Sequence, residues 1–424
     1  METIEESDNI YPQGALKIIM LTVNEMKDLQ GKRVFVRVDF NVPQTNGVIR
    51  DTNRIKAALP TIKELISKGA RVILMSHLGK IKWKEPDPEK IEAMKKANDM
   101  APVAVALQEL LPETKVHFCA ATRGEELVKA AEALKDGEIL LGQNTRYEKG
   151  EEKNDPELAK AWAKVADAYV MDAFGSAHRA HASTYGIPEI LKAEGKPVAC
   201  GYLVEKEIAN LTRCVDVKES DRPYVAILGG LKVSDKIKVI DSLLKKCDKI
   251  IIGGAMAYTF KKALGMETGN SPVEDDQLDY ARKCLKEAEG KIVLPVDSVV
   301  TDAFEGWTVR MVVQDNVPAD MQGMDIGPET EKLFASEIAK AKMVFWNGPM
   351  GVFEQKDFAN GTIAICKAVA GLKNAFSVCG GGDSAAAIKE FGYKEAFSHV
   401  STGGGASLEM IENDGHLPGV DILR

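Results

Sequence analysis

YVAILGGLKVSDKI, residues Tyr224 to Ile237, is a short apolar run, a glycine pair and a polar segment carrying two lysines four positions apart. Tyr224 to Leu228 reads as a buried strand, Gly229-Gly230 as a tight turn and the remainder as the opening of a helix. Lys232 and Lys236 then share one face of that helix near its positive end. Like charges so placed cost about 1 kcal/mol at low salt. A bound anion removes the conflict; two solvated lysines beside Asp235 are the plainer alternative.

The same grammar recurs on either side. The first half offers RVFVRVDFNV, ARVILMSHLG, KVHFCA, EILLGQN, AYVMDAFG and PVACG, and the second half VAILGG, KIIIGG, KIVLPVD, MVFWNGPM, AFSVCGGGDS and FSHVSTGGG. Helical periods such as RIKAALPTIKELISKG and ELAKAWAKVADA lie between them. Apolar strands alternating with amphipathic helices predict parallel sheets covered on both faces. The expected fold class is therefore α/β, with two doubly wound parallel-sheet, Rossmann-like domains. A chain of 424 residues suits two domains of roughly 200 residues each.

Composition narrows the function. With 45% hydrophobic and 28% charged residues this is an ordinary globular chain, and a net charge of −8 argues against nucleic-acid or anionic-membrane partners. Seven cysteines without a CxxC suggest reduced core thiols and a cytoplasmic setting, with neither a disulfide framework nor a zinc site. No apolar run reaches membrane-spanning length, and the acidic start of the chain suits neither a signal nor a transit peptide. Residues 1–20 are expected to be an extension of unassigned purpose.

In open α/β sheets ligands bind at the carboxyl ends of the strands, so the turns should carry the chemistry. Those of the first half carry Asp39, Asn41, Arg54, His77, Lys80, Arg146, His178, Arg179 and His181. Asp39 and Asn41 point the same way on a strand and can hold a hydroxyl or carboxylate, or can form an Asx-type turn. Arg54 places a cation at a helix start behind Thr52 and Asn53, with Asp51 as an alternative partner. His178, Arg179 and His181 put three potential cations in four residues. Second-half turns carry glycine instead: Gly229-Gly230, Gly253-Gly254, Gly380-Gly381-Gly382 and Gly403-Gly404-Gly405. The first half looks built for a small polyanion, and the second for a phosphate chain against bare backbone N–H groups. In CGGGDS, Asp383 can take one position on Mg2+ or cap a helix. Glu354, in WNGPMGVFE, has no chemistry readable from spacing.

Absences discriminate further. There is no Walker loop, no GxGxxG after the first strand of either half, no GxSxG and no HExxH. Nor is any residue set up as a general base. Phosphoryl transfer here would suit an acceptor needing no deprotonation, such as a carboxylate.

RVDFNVP, NRIKAA, LMSHLG, DAFGSAHRAHAST, LGGLKVSDKI, IIGGAMAYTF, DIGPET, WNGPMGVFE, GGGDS and HVSTGGGASLE occur in this order from about Gly31 to Leu423. In them the chain resembles the phosphoglycerate kinases. The resemblance implies a monomeric, two-lobed, hinge-bending enzyme that reversibly moves the γ-phosphate of MgATP to the carboxylate of 3-phosphoglycerate, giving 1,3-bisphosphoglycerate and ADP. It implies a phosphoglycerate lobe over residues 21–202 plus a returning segment of about 406–424, and a nucleotide lobe over 203–405. The first would hold its substrate through Asp39, Asn41, Arg54, His77, Lys80, Arg146 and Arg179. The second would hold nucleotide through Lys232, Lys236, Gly254, Asn347, Glu354, Gly380, Gly381, Gly382, Asp383 and Ser384, with Asp383 at the metal and Glu354 at the ribose. Catalysis would rest on Arg54, Lys232, Lys236, Gly382 and Mg2+.

Departures from the family pattern cluster in the first lobe. HLGRP becomes HLGKI, so a forked guanidinium is replaced by the point charge of Lys80. ENLRF becomes QNTRY through Gln143 and Thr145, NDAFG has Met171 in place of Asn, GGAK has Leu231, and a charged stretch runs from Ile81 to Asn98. These changes predict weaker or altered phosphoglycerate binding beside an intact nucleotide site. They also leave room for a kinase of another small phosphorylated acid, or for a catalytically silent nucleotide-binding protein.

Overall fold

The computed structural model describes residues 20–424. The expectation for the extension before Met20 lies outside the described residues. The chain forms two compact units, one ending at Ala209 and rejoined by His416–Arg424, the other Asn210–Gly415. Both divisions lie later than the sequence suggests, and each has a local cause. The first falls inside one continuous helix, Tyr202–Val215. The second follows helix Gly404–Glu412, which belongs to the second unit because the Ser242 hydroxyl, on helix Ile237–Lys246, donates to the Ile411 carbonyl at 2.8 Å.

In the first unit six parallel strands run across the sheet in the order Val116–Cys119, Ile139–Gly142, Arg71–Met75, Arg33–Val38, Ala168–Asp172 and Val198–Cys200. Strand Arg33–Val38 is central and buried almost throughout because helices cover both faces; its interior is Val34, Phe35, Val36 and Val38, with Arg37 buried among them. Its core continues into Ile55, Ile62 and Leu65 of helix Asn53–Ser67. Burying side chains of this size contributes roughly 1.5–3 kcal/mol each.

In the second unit the order is Ile292–Val293, Lys249–Ile252, Tyr224–Leu228, Met343–Asn347, Phe376–Cys379 and His399–Val400, again parallel. Numbered along the chain this is 3-2-1-4-5-6, whose direction reverses between Tyr224–Leu228 and Met343–Asn347. A crevice for ligand belongs at that reversal. The run KIVLPVD is not one strand as expected. Pro295, which cannot donate to a ladder, separates Ile292–Val293 from Asp297–Thr301, and the latter joins an antiparallel sheet with Arg310–Gln314 and Gln322–Ile326.

Candidate active site

The opening stretch behaves as a strand and turn but not as a helix start at Lys232. Tyr224–Leu228 is fully buried, whereas the α-helix begins only at Ile237, after a 3-10 turn at Ser234–Lys236. The lysines therefore do not share a helical face. Lys232 is exposed, while Lys236 caps the helix and is half-buried. The backbone N–H groups of Val233 and Ser234 already have an anion, since both donate to Glu274 Oε2, at 2.6 and 3.1 Å. Glu274, 40 positions further on, carried no signal in the sequence.

Lys236 donates from Nζ to Asn347 Oδ1, at the end of the neighbouring strand. Asn347 in turn donates to the Gly380 carbonyl at 2.7 Å, and Gly348 N–H donates to the Ser384 hydroxyl at 2.6 Å. The carboxyl ends of three adjacent strands are thereby locked together around one ammonium group. Burial lowers the Lys236 pKa from 10.5 to about 8, against the opposing pull of Asp235 and Asp383. Asp383 does not cap its helix: Gly381 does, with φ +111°, and Gly382–Glu390 follows. A side chain at Gly381 would put Cβ 2.7 Å from Asn347 Nδ2. At Gly254 (φ +66°) it would lie 2.5 Å from Gly230 N, so these turns pack backbone on backbone and leave no room for side chains. Ser384 is fully buried with its hydroxyl taken up by Gly348, while Glu354 is exposed and makes no hydrogen bond among the described residues. No group of three metal-ligating side chains occurs among the described residues. Asp383, exposed and close enough to Lys236 to raise its pKa, fits a Mg2+ ion held by one carboxylate with phosphate and water oxygens completing its shell.

In the first unit the strand ends at Val38, so Asp39 and Asn41 lie in the turn that follows. Of the two alternatives, the Asx-type turn is the one formed. Asn41 N–H donates to Asp39 Oδ1 at 3.2 Å in an Asx-type contact, and Asp39 Oδ2 accepts from Arg54. Asp39, not Asp51, is thus the partner of Arg54. Asn41 Oδ1 accepts from Gly79 N–H at 2.8 Å, tying this turn to the one carrying His77. His77 is 9% exposed. Burial first, then Arg37, Arg146, Arg54 and His181, hold its pKa well below the ordinary value.

Three cations in the 178–181 loop are not what the fold contains. Burial, with Arg179 beside it, lowers the His178 pKa, and burial with Arg37, Arg146 and Arg179 takes that of His181 to about 3. Arg179 alone is charged there near neutrality, and it is exposed. Arg146 reaches Glu152 at 3.1 Å, and its Nε is buried without a hydrogen-bond partner, as is Nδ1 of His181. Lys80 is exposed and makes no hydrogen bond or ion pair among the described residues.

The other departures are mostly structural. Buried Gln143 accepts from Met100 N–H at 3.0 Å, at the start of helix Ala101–Leu110, and donates to Asp99 at 3.1 Å. Met171 is strand core, and Leu231 is 58% exposed. Within the charged stretch Trp83 donates to the Arg146 carbonyl at 3.1 Å, with the Lys95 and Lys149 ammonium groups 5.2 and 5.0 Å from its ring centre. Arg37 and Glu151 belong to the same cluster and carry no separate signal in the sequence. Arg37 sits within the quoted RVDFNVP, but a strand residue facing inward looks like core from periodicity alone.

A family model described as phosphoglycerate kinase matches residues 23–414. The phosphoglycerate kinase of Latilactobacillus sakei is 50% identical over 409 residues, covering 95% of this chain and 98% of that protein. That of Listeria monocytogenes is 51% identical over 398 residues, covering 93% and 96%. Among solved structures, phosphoglycerate kinase from Coxiella burnetii superposes with a TM-score of 0.81 at 38% identity, covering 95% of this chain and 98% of that one. The enzyme from Pyrococcus horikoshii gives 0.80 at 34% identity, with the same coverage. Neither the other-acid reading nor the silent-protein reading gains support from these relatives. With near-complete coverage by family, relatives and solved folds alike, the chain belongs to the phosphoglycerate kinase family.

Proposed function

We propose that this chain is a phosphotransferase that moves the γ-phosphate of ATP reversibly to the carboxylate of 3-phosphoglycerate, giving 1,3-bisphosphoglycerate and ADP. The observation that carries the reading is the pair of cationic centres. Arg37, Arg54, Arg146 and Arg179 gather electrostatically around neutral histidines in one unit, and Lys236 stands at the strand-order reversal in the other. Neither contains a free general base, and a carboxylate acceptor needs none.

In this reading Arg54, Arg146 and Arg179, with Asp39, Asn41, His77 and Lys80, bind and orient the phosphorylated acid. Lys232, Lys236, Asn347, Glu354 and the Gly380–Ser384 turn bind nucleotide, with Gly254 keeping the turns close. Mg2+ at Asp383, when bound, supplies neutralising charge to the nucleotide phosphates. The chain's own contribution is positioning and charge: Lys236 and the helix N-terminus at Gly382 would supply it on the nucleotide side and Arg54 on the acid side, for the negative charge that spreads over the transferring group in the transition state. Hinge closure of the kind the family makes would align donor with acceptor and exclude water. A monomer in the cytoplasm completes the proposal, and seven buried cysteines outside any disulfide support the reducing compartment.

The test is turnover of the purified protein with ATP, Mg2+ and 3-phosphoglycerate, coupled to reductive removal of the product, beside Arg54→Ala. Turnover that falls by about 10²–10³ in the variant is expected for loss of one charge-stabilising donor. Nucleotide binding without turnover would overturn the proposal.

A further inference from the structure

Behind the phosphoglycerate residues lies a buried chain of polar groups with no assigned purpose. Arg37 is 1% exposed, and all three of its guanidinium nitrogens are engaged. Nη1 donates to the Val38 carbonyl at 2.6 Å, Nε to the Ser183 hydroxyl at 2.7 Å, and Nη2 meets His77 Nδ1 at 3.1 Å. The Ser183 hydroxyl donates onward to Glu151 Oε1, whose other oxygen accepts from Ser183 N–H at 2.9 Å. Glu151 is fully buried. Burial pushes its pKa up, against the opposing pull of Arg37 and of the two hydrogen bonds from Ser183.

A guanidinium has no acceptor, so His77 Nδ1 must be the acceptor in this contact. The proton of the neutral ring is then on Nε2, which makes no hydrogen bond among the described residues. We infer that Arg37, braced by Glu151 through the Ser183 hydroxyl, is a positioning residue that fixes His77 as the Nε2-protonated tautomer and so presents an N–H donor to the bound acid. The inference rests on the first unit being the phosphoglycerate site. The groups facing His77 agree with it. Arg37 comes from strand Arg33–Val38, Arg54 from helix Asn53–Ser67, Arg146 from the turn after Ile139–Gly142 and His181 from the loop after Ala168–Asp172. The nearby carboxylates are spoken for, Asp39 by Arg54, Glu152 by Arg146 and Glu151 by Ser183. Each cation disfavours imidazolium, so the ring stays a neutral donor across the working pH range.

Two measurements test this. In the ligand-free protein, long-range ¹⁵N–¹H NMR of His77 should show the neutral, Nε2-protonated pattern from about pH 5.5 to 8.5. A Nδ1-protonated ring, or imidazolium in that range, overturns the inference whatever acid the enzyme uses. The double variant Arg37→Met with Glu151→Gln removes both ends of this buried polar chain together. It should let His77 populate the Nδ1-protonated tautomer as well and raise the KM for 3-phosphoglycerate about tenfold, with kcat changed less than about threefold. Ser183→Ala, a milder change that leaves Arg37 in place, should raise that KM about threefold. Unchanged KM with an unchanged NMR pattern in both variants would refute the positioning role. A wild-type protein with the expected tautomer but no turnover of 3-phosphoglycerate would instead refute the assigned reaction.

Discussion

Lys236 is the sharpest place to perturb this molecule. Burial brings its pKa from 10.5 to about 8, which disfavours its charged form by about 3 kcal/mol. In the proposed function a nucleotide phosphate beside Nζ would supply the missing counter-charge and raise the pKa again. Below about pH 8 the group is already charged, so ADP affinity should be flat. Above it, binding must first recover a proton, and affinity should fall by up to about tenfold per pH unit until the pKa of the complex is passed. Lys236→Met removes a charge-assisted hydrogen bond worth about 1.5–3 kcal/mol, a loss of about 10- to 150-fold in affinity at pH 7. The variant should also lose the alkaline slope. Isothermal titration with MgADP between about pH 7 and 9.5, in buffers of different ionisation enthalpy, reads both the affinity and the proton taken up. A flat wild-type profile, or a variant that keeps the slope, would refute the reasoning.

The other predictions concern the acid site, the glycine turns and a buried carboxyl. Lys80→Arg should lower the KM for 3-phosphoglycerate several-fold, on the order of 1 kcal/mol, because a fork replaces a point charge; an unchanged KM would show that Lys80 does not touch the acid. Gly254→Ala forces a Cβ into Gly230 N at a positive φ, so denaturant titration should show a loss of about 2–4 kcal/mol, and a neutral result would contradict the packing described. Asp172 is fully buried and its carboxylate accepts from Leu203 N–H at 3.0 Å, yet burial raises its pKa to about 7. Because the folded value exceeds the unfolded one, its stabilising contribution is complete below about pH 4 and is lost as pH rises through about 7. Asp172→Asn should flatten that part of the stability profile, leaving the similar decline from Asp325.

Much of the fold was legible because its causes are local. A strand buried on both faces must be apolar at most positions, so the runs from RVFVRV to AFSVC declare themselves despite the buried Arg37 and Ser377. Turns that carry backbone against backbone must be glycine, so GGLK and CGGGD mark the strand ends. The type and order of the site residues follow from the same motifs. What they do there does not, because charge state and hydrogen bonding depend on groups remote in the chain. His178 and His181 look like cations in a run of four residues, and burial lowers both pKa values, with Arg179 beside His178 and Arg37, Arg146 and Arg179 around His181. Lys232 and Lys236 look like a helical pair, yet Glu274 holds the intervening N–H groups and delays the helix to Ile237. Gln143 looks like a change in the acid pocket and turns out to anchor the neighbouring helix. The sequence by itself determined the strands, the glycine turns and the family. Only the tertiary structure decided which of the conspicuous side chains are charged, which are paired and which stand free to meet a substrate, because electrostatics acts through space and burial is a property of the whole fold.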